Sequence, residues 1–186
     1  VGRQHRRQEN PRARATNFGD TITMDRAHVF HEGEEGYFGE QHALLIADVA
    51  TDYRAIYPCT SKETEEVVAH LKHFCGDKIS EVKLIYSDRA PEFIRAAFEL
   101  NIPFQGSAPG VPQSNGYIEA RIKLIEEGAR CSLVGAGLPP VFWTLAASHH
   151  CHAHNIAVRN GTSPWELRFG EPFPGESIPL GASIVY

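Results

Sequence analysis

A short apolar run, Val82-Lys83-Leu84-Ile85-Tyr86, constrains the fold most tightly, because its residues are nearly all apolar instead of alternating with polar ones. A run of this kind suits a strand covered on both faces. It also divides the chain. Before it, Ile22 and Met24 alternate with Thr21, Thr23 and Asp25 as in a half-buried strand, which puts Asp25 on the face opposite the apolar pair. Runs at 43–47 and 53–57, separated by a polar turn around Thr51 and Asp52, read as a hairpin, so three antiparallel strands open the domain. Thr60 with Glu63 has the spacing of a capping box, and Val67, Val68, Leu71 and Phe74 follow at helical intervals until Gly76.

After the apolar run, helices and strands alternate. Pro91 to Leu100 is expected to be a short helix, and Ile102-Pro103-Phe104 a brief peripheral strand, since proline cannot donate to a ladder. A longer helix from Ser114 to about Val134 carries Ile118, Ile122, Ile125, Ala129 and Leu133 as a stripe at 3.6-residue periodicity. Pro139-Pro140 open another helix reaching roughly His154, and Ser163-Pro164-Trp165-Glu166 is a capping box with proline at the first helical position. Residues 28–39, with several glycines and few apolar residues, read as a loop. The strands number five, giving an α/β chain.

Length and charge bound the rest. With 186 residues, 42% of them hydrophobic, the chain fits one ordinary domain. We expect a basic arm at 1–17, a core at 18–170 and a C-terminal extension at 171–186. No apolar run reaches the roughly 20 residues of a membrane span, and the Arg-rich start has no secretory apolar segment, so a soluble intracellular protein is expected. The chain begins with Val, which leads us to expect a piece of something longer. Cys59, Cys75, Cys131 and Cys151 form no C-x-x-C pair, so reduced thiols are expected and no zinc framework is indicated. The net charge of −5 hides an asymmetry: residues 1–14 hold five arginines against Glu9. A basic arm on an acidic body can track a polyanion, although short Arg-rich termini are often only solvated tails.

Asp88 ends the apolar run and its flanking Ser87, Glu119 lies just inside the long helix after a Pro/Gly/Ser-rich loop, and Asp25 stands on the first strand. Three carboxylates brought together from two strand segments and a helix make a site for Mg²⁺ or Mn²⁺, because hard cations prefer oxygen ligands and relieve the mutual repulsion of the acids. Two such ions can activate a hydroxyl nucleophile and stabilise the leaving oxygen in attack on a phosphodiester. By spacing alone, the same acids also read as solvated strand ends and a helix N-terminal Glu favoured by the dipole.

The motifs around these acids add a resemblance. Ser87-Asp88-Arg89-Ala90-Pro91-Glu92-Phe93 is similar to the S-D-N-G-x-E-F segment of retroviral and retrotransposon integrase catalytic cores, and Pro112-Gln113-Ser114-Asn115-Gly116-Tyr117-Ile118-Glu119 to their P-Q-x-N-G-x-x-E segment. Gly137-Leu138-Pro139-Pro140-Val141-Phe142-Trp143 resembles L-P-x-x-F-W, and Thr162-Ser163-Pro164-Trp165-Glu166 with Gly170 resembles T-P-Y-E-x-x-x-G. The closing Leu180-Gly181-Ala182-Ser183-Ile184-Val185-Tyr186 looks like the copia-type ending, and the likeness as a whole is closest to copia-type elements.

This resemblance implies an RNase H-like three-layer fold, a mixed five-stranded sheet flanked by helices. It implies DNA strand transfer, in which a DNA 3′-hydroxyl attacks a target phosphodiester with two Mg²⁺ (or Mn²⁺) ions. Asp25, Asp88 and Glu119 fall on the catalytic, metal-binding triad. Lys123 falls on a position that approaches DNA, and Gln113 and Asn115 fall in the mobile active-site loop. Glu92 is a supporting candidate only. Lys123 reads equally as a helix-face partner of Glu119 or Glu127. The resemblance further implies DNA as partner, a homodimer or higher oligomer, a place within a longer polyprotein, and nuclear localisation.

The sequence departs from the family at Arg89 and Ala90, where Asn and Gly are usual, and in a shortened interval between Asp88 and Glu119. Two alternatives therefore stand beside strand transfer: a degenerate or domesticated core acting as a DNA-binding or dimerisation module, and an RNase H-type ribonuclease. Asp48 and Asp52 read as turn residues. The cluster His149, His150, Cys151, His152 and His154 reads as helix packing ahead of a zinc site.

Overall fold

The computed structural model describes residues 15–27, 35–107 and 116–183. Five strands form one sheet in the order β3-β2-β1-β4-β5. β1 (Ile22–Ala27), β2 (His42–Asp48) and β3 (Arg54–Cys59) are antiparallel neighbours. β4 (Ile85–Ser87) pairs parallel with β1, and β5 (Phe104–Gly106) parallel with β4.

Side-chain alternation on β1 and β2 builds two cores. Ile22, Met24, Leu44 and Ile46 face α1 (Thr64–Cys75) and α2 (Pro91–Glu99), packing with Val67, Leu71, Phe74, Phe93 and Ala97. Ala27, Ala43, Leu45 and Ala47 face α3 (Gly116–Ala136) and α4 (Trp143–Ile156), packing with Ile118, Ile125, Ala129, Leu133 and Trp143. Every residue of β2 is buried, as a central strand between two helical layers requires. The three-layer, mixed-sheet arrangement expected from the motifs is present.

Local departures have local causes. β4 is shorter than its apolar run, and its ladder starts at Ile85. β5 begins at Phe104 because Pro103 has no N–H and the N–H of Ile102 donates to Ala97 at the end of α2. Thr60 and Glu63 form no capping box; Glu63 is the residue preceding α1, with no side-chain cap. Ser61 takes over that role in part, accepting the Glu63 N–H at 3.3 Å and donating to Glu66 at 2.9 Å. The Ser163 box does form, with Ser163 Oγ accepting the Glu166 N–H at the start of α5 (Pro164–Phe169).

Arg168 of α5 is buried and donates to the carbonyls of Phe74 and Cys75, capping the last turn of α1. Its guanidinium lies 3.9 Å from the centre of the Phe18 ring. Beyond α5, the chain runs back against α4, where His149 Nε2 lies 2.8 Å from the Ile178 carbonyl and Phe173 meets His152.

Candidate active site

Asp25 and Asp88 are brought together by the register of parallel strands. Met24 on β1 is paired with Ser87, the last residue of β4, so Asp25 within β1 and Asp88 just past β4 each follow a paired residue. Adjacent strands lie about 4.8 Å apart. The Ser87 hydroxyl locks the ends together by donating to the Met24 carbonyl at 2.6 Å. Asp25 accepts the Arg26 N–H on Oδ1 at 2.7 Å, and Asp88 leads into the loop before α2, its Oδ1 3.4 Å from the Ala90 nitrogen.

Alternation fixes the face. Asp25 is two residues before Ala27, which packs with Ile118 of α3. Glu119 follows Ile118 in the first turn of α3 and is exposed. Asp25 and Glu119 therefore belong to the α3 side of the sheet, while Asp88 follows the end of β4 in the loop before α2. Asp25 comes from β1, Asp88 from the residue after β4, and Glu119 from the helix packed on β1 and β2. Among the described residues, the set of three donor groups within 4.8 Å of one another is a different one, Cys59, Glu66 and His70.

The first turn of α3 is anchored by a residue that reads in the sequence as a turn former only. Asp52, at positive φ between β2 and β3, accepts from the Tyr117 hydroxyl at 2.9 Å and from Arg121 Nε at 3.0 Å, and its other oxygen lies 3.3 Å from His154 Nε2. Arg121 also stacks on Tyr117, 3.8 Å from the ring centre. Tyr117, two positions before Glu119, and Arg121, two positions after it, are thus tied to one carboxylate, which sets the height and rotation of Glu119 over the sheet. Burial pushes the Asp52 carboxyl upward, but the His154 contact and the Arg121 charge outweigh it and hold the group below its ordinary value. Asp48 is purely structural: Oδ1 accepts from the N–H and hydroxyl of Thr51, and Oδ2 from the Gly19 N–H.

Lys123 lies exposed on α3, one turn beyond Glu119, and forms no ion pair with Glu119 or Glu127 among the described residues. Gln113 and Asn115 lie outside the described residues. Glu92 pairs with Arg26 at 3.1 Å on the α1 and α2 side of the sheet, away from the face of Asp25. Arg89 lies over β5, where its side chain occupies the space a Cβ at Gly106 would need. Of the α4 histidines, His154 meets Asp52, and His150 lies against Gly128 of α3. No helix of the described residues is long and apolar enough to cross a membrane.

Comparison with known proteins agrees with this architecture. No protein-family model matches the chain. A Pro-Pol polyprotein of feline foamy virus is 30% identical over 142 residues, 73% of this chain, while the chain spans only 12% of the length of that polyprotein. A chain of the simian T-cell lymphotropic virus intasome, solved in complex with PP2A regulatory subunit B56 gamma, superposes with a TM-score of 0.64 at 17% identity. The match covers 91% of this chain and 62% of that one. The HTLV-2 integrase catalytic core domain, solved in complex with magnesium in its dimeric form, superposes with a TM-score of 0.61 at 13% identity over 83% of this chain and 99% of its own. The chain has the RNase H-like fold of retroviral integrase catalytic cores.

Proposed function

We propose that this chain is the catalytic core of an integrase, which joins a DNA 3′-hydroxyl to a target phosphodiester by metal-dependent transesterification at Asp25, Asp88 and Glu119. The observation that carries the reading is the parallel register of β1 and β4. Asp25 and Asp88 each follow a residue of the Met24–Ser87 pair, and α3, which bears Glu119, packs on the face of β1 that carries Ala27. The sequence likeness to a foamy-virus polyprotein and the integrase-type fold support it.

The donors fit the cation. All three groups are carboxylates, the oxygen set that Mg²⁺ and Mn²⁺ prefer, and the site has no sulfur or imidazole to select a softer metal. Asp25 and Asp88 would hold the ion from the sheet and Glu119 from the helix. When bound, the metal supplies charge neutralisation at the attacking and leaving oxygens. The protein's own part is to hold the acids on rigid elements, with Asp52 fixing the first turn of α3, and to offer Lys123 to a DNA phosphate one turn away. Gln113 and Asn115 belong in the same proposal as contacts from the preceding loop. DNA as substrate, a homodimeric assembly, a longer polyprotein around the core, and action in the nucleus complete it, as does the copia-type affinity of the motifs.

A second reading, a core that has lost catalysis and serves as a DNA-binding or dimerisation module, is favoured by Arg89, which turns away over β5 at a place where the family has Asn. Incubation with DNA ends, a target duplex and Mn²⁺ separates the two. The catalytic reading expects joined products with the wild type and a loss of at least about 100-fold with Asp88→Asn. Wild-type DNA binding without joining, or equal joining by both proteins, contradicts it.

A further inference from the structure

On the opposite face of the sheet, the end of β3 meets the first turns of α1. Cys59 closes β3 and is 1% exposed, and Glu66 and His70 stand one helical turn apart on α1, on the side that faces it. One donor atom from each, thiol sulfur, carboxylate oxygen and imidazole nitrogen, lies within 4.8 Å of the other two. Ligands of a single tetrahedral zinc stand about 3.5 Å apart, so closure asks for side-chain adjustments of about 1 Å.

Two buried polar atoms lie at this cluster. His70 Nε2 is buried and has no hydrogen-bond partner, although its ring is held in place by stacking on Tyr57 at 4.5 Å and 15°. Arg26 Nη2 is also buried without a partner. Buried polar atoms in this state are uncommon and cost stability. Burial pushes the Cys59 thiol up to about 11, with Glu66 adding to the rise, while the neighbouring Arg26 pulls it down. Burial also favours neutral His70, the form that ligates. A cation here would take the imidazole nitrogen and turn the thiol into a thiolate, an anionic acceptor beside the guanidinium of Arg26.

We propose that Cys59, Glu66 and His70 form a binding site for a thiophilic divalent transition metal of the zinc class, with water in the fourth position. Hard Mg²⁺ is a poor match for sulfur and imidazole, so the site is chemically distinct from the three carboxylates on the other face. Binding forms the metal–sulfur, metal–nitrogen and metal–oxygen bonds and releases the thiol proton to solvent, so affinity falls as pH falls. The ion would clamp the end of β3 to the start of α1, the helix whose N-terminus has no side-chain cap. The inference does not rest on the integrase reading.

The test uses the whole chain, stripped of metal and then titrated with Zn²⁺ or Co²⁺. One equivalent of zinc is expected to bind and raise the unfolding temperature, and the cobalt form to show a thiolate-to-metal charge-transfer band. Cys59→Ser should abolish the band, and His70→Gln and Glu66→Gln should weaken zinc binding at least about tenfold. Cys131→Ser, at an exposed thiol, should change neither. If Cys59→Ser fails to fold by circular dichroism, the His70→Gln affinity decides. A cobalt complex with no charge-transfer band, a band that survives Cys59→Ser, or zinc affinity unchanged by His70→Gln overturns the proposal.

Discussion

Asp52 shows how much one side chain can hold. Its two oxygens gather Tyr117, Arg121 and His154, joining the β2–β3 turn to the first turn of α3 and to α4. Because its folded-state pKa is depressed, these contacts stabilise the protein fully above the ordinary value of 3.8 and lose their contribution as pH falls below it. Asp52→Asn is expected to cost about 1–2 kcal/mol at neutral pH, a figure reduced for the 34% exposure of the side chain. In thermal unfolding across pH, the gap between wild type and variant should stay constant through the neutral range and close below about pH 4. A gap that widens in acid contradicts the assignment. The same variant should also reduce DNA joining, since it frees the helix turn that carries Glu119.

At the scale of elements, the approach of α3 to α4 is set at Gly128. A Cβ there would lie 2.1 Å from the His150 ring, so alanine cannot be added without moving a half-buried imidazole. In a free helix, Gly→Ala gains about 1 kcal/mol. Here Gly128→Ala should destabilise instead, and the propensity gain should return once His150→Ala removes the obstacle. A double-mutant cycle by chemical denaturation reads this directly. Additive effects would show that the two residues do not oppose each other across the interface. Glycine in the middle of a long helix is therefore a packing choice, which its spacing does not disclose.

Across the whole molecule, what the chain disclosed in advance was whatever depends on near neighbours in sequence. The alternation of Ile22, Met24 and Asp25 assigned the acid to its face, the 3.6-residue stripe on α3 found its buried side, and Ser163 capped α5 as its spacing required. Contacts over long separations stayed hidden. Asp52 looked like a turn residue because its partners lie 65 to 102 positions away. Cys59 read only as a reduced thiol outside any C-x-x-C pair, because the helix that brings Glu66 and His70 to it is placed by the sheet. The capping box at Thr60 failed because Ser61 is the residue that bonds at that turn. Local rules fix elements; the packing of two helical layers on one sheet fixes sites.

On the integrase reading, Asp25, Asp88 and Glu119 act together on a divalent cation. Crystals grown with Mn²⁺ test this most directly, by the anomalous signal of the metal. Mn²⁺ is expected between β1 and the end of β4, ligated by Asp25 and Asp88 with Glu119 drawn in from α3. Metal found only elsewhere, or Glu119 turned away from an ion held by the two aspartates, would contradict it.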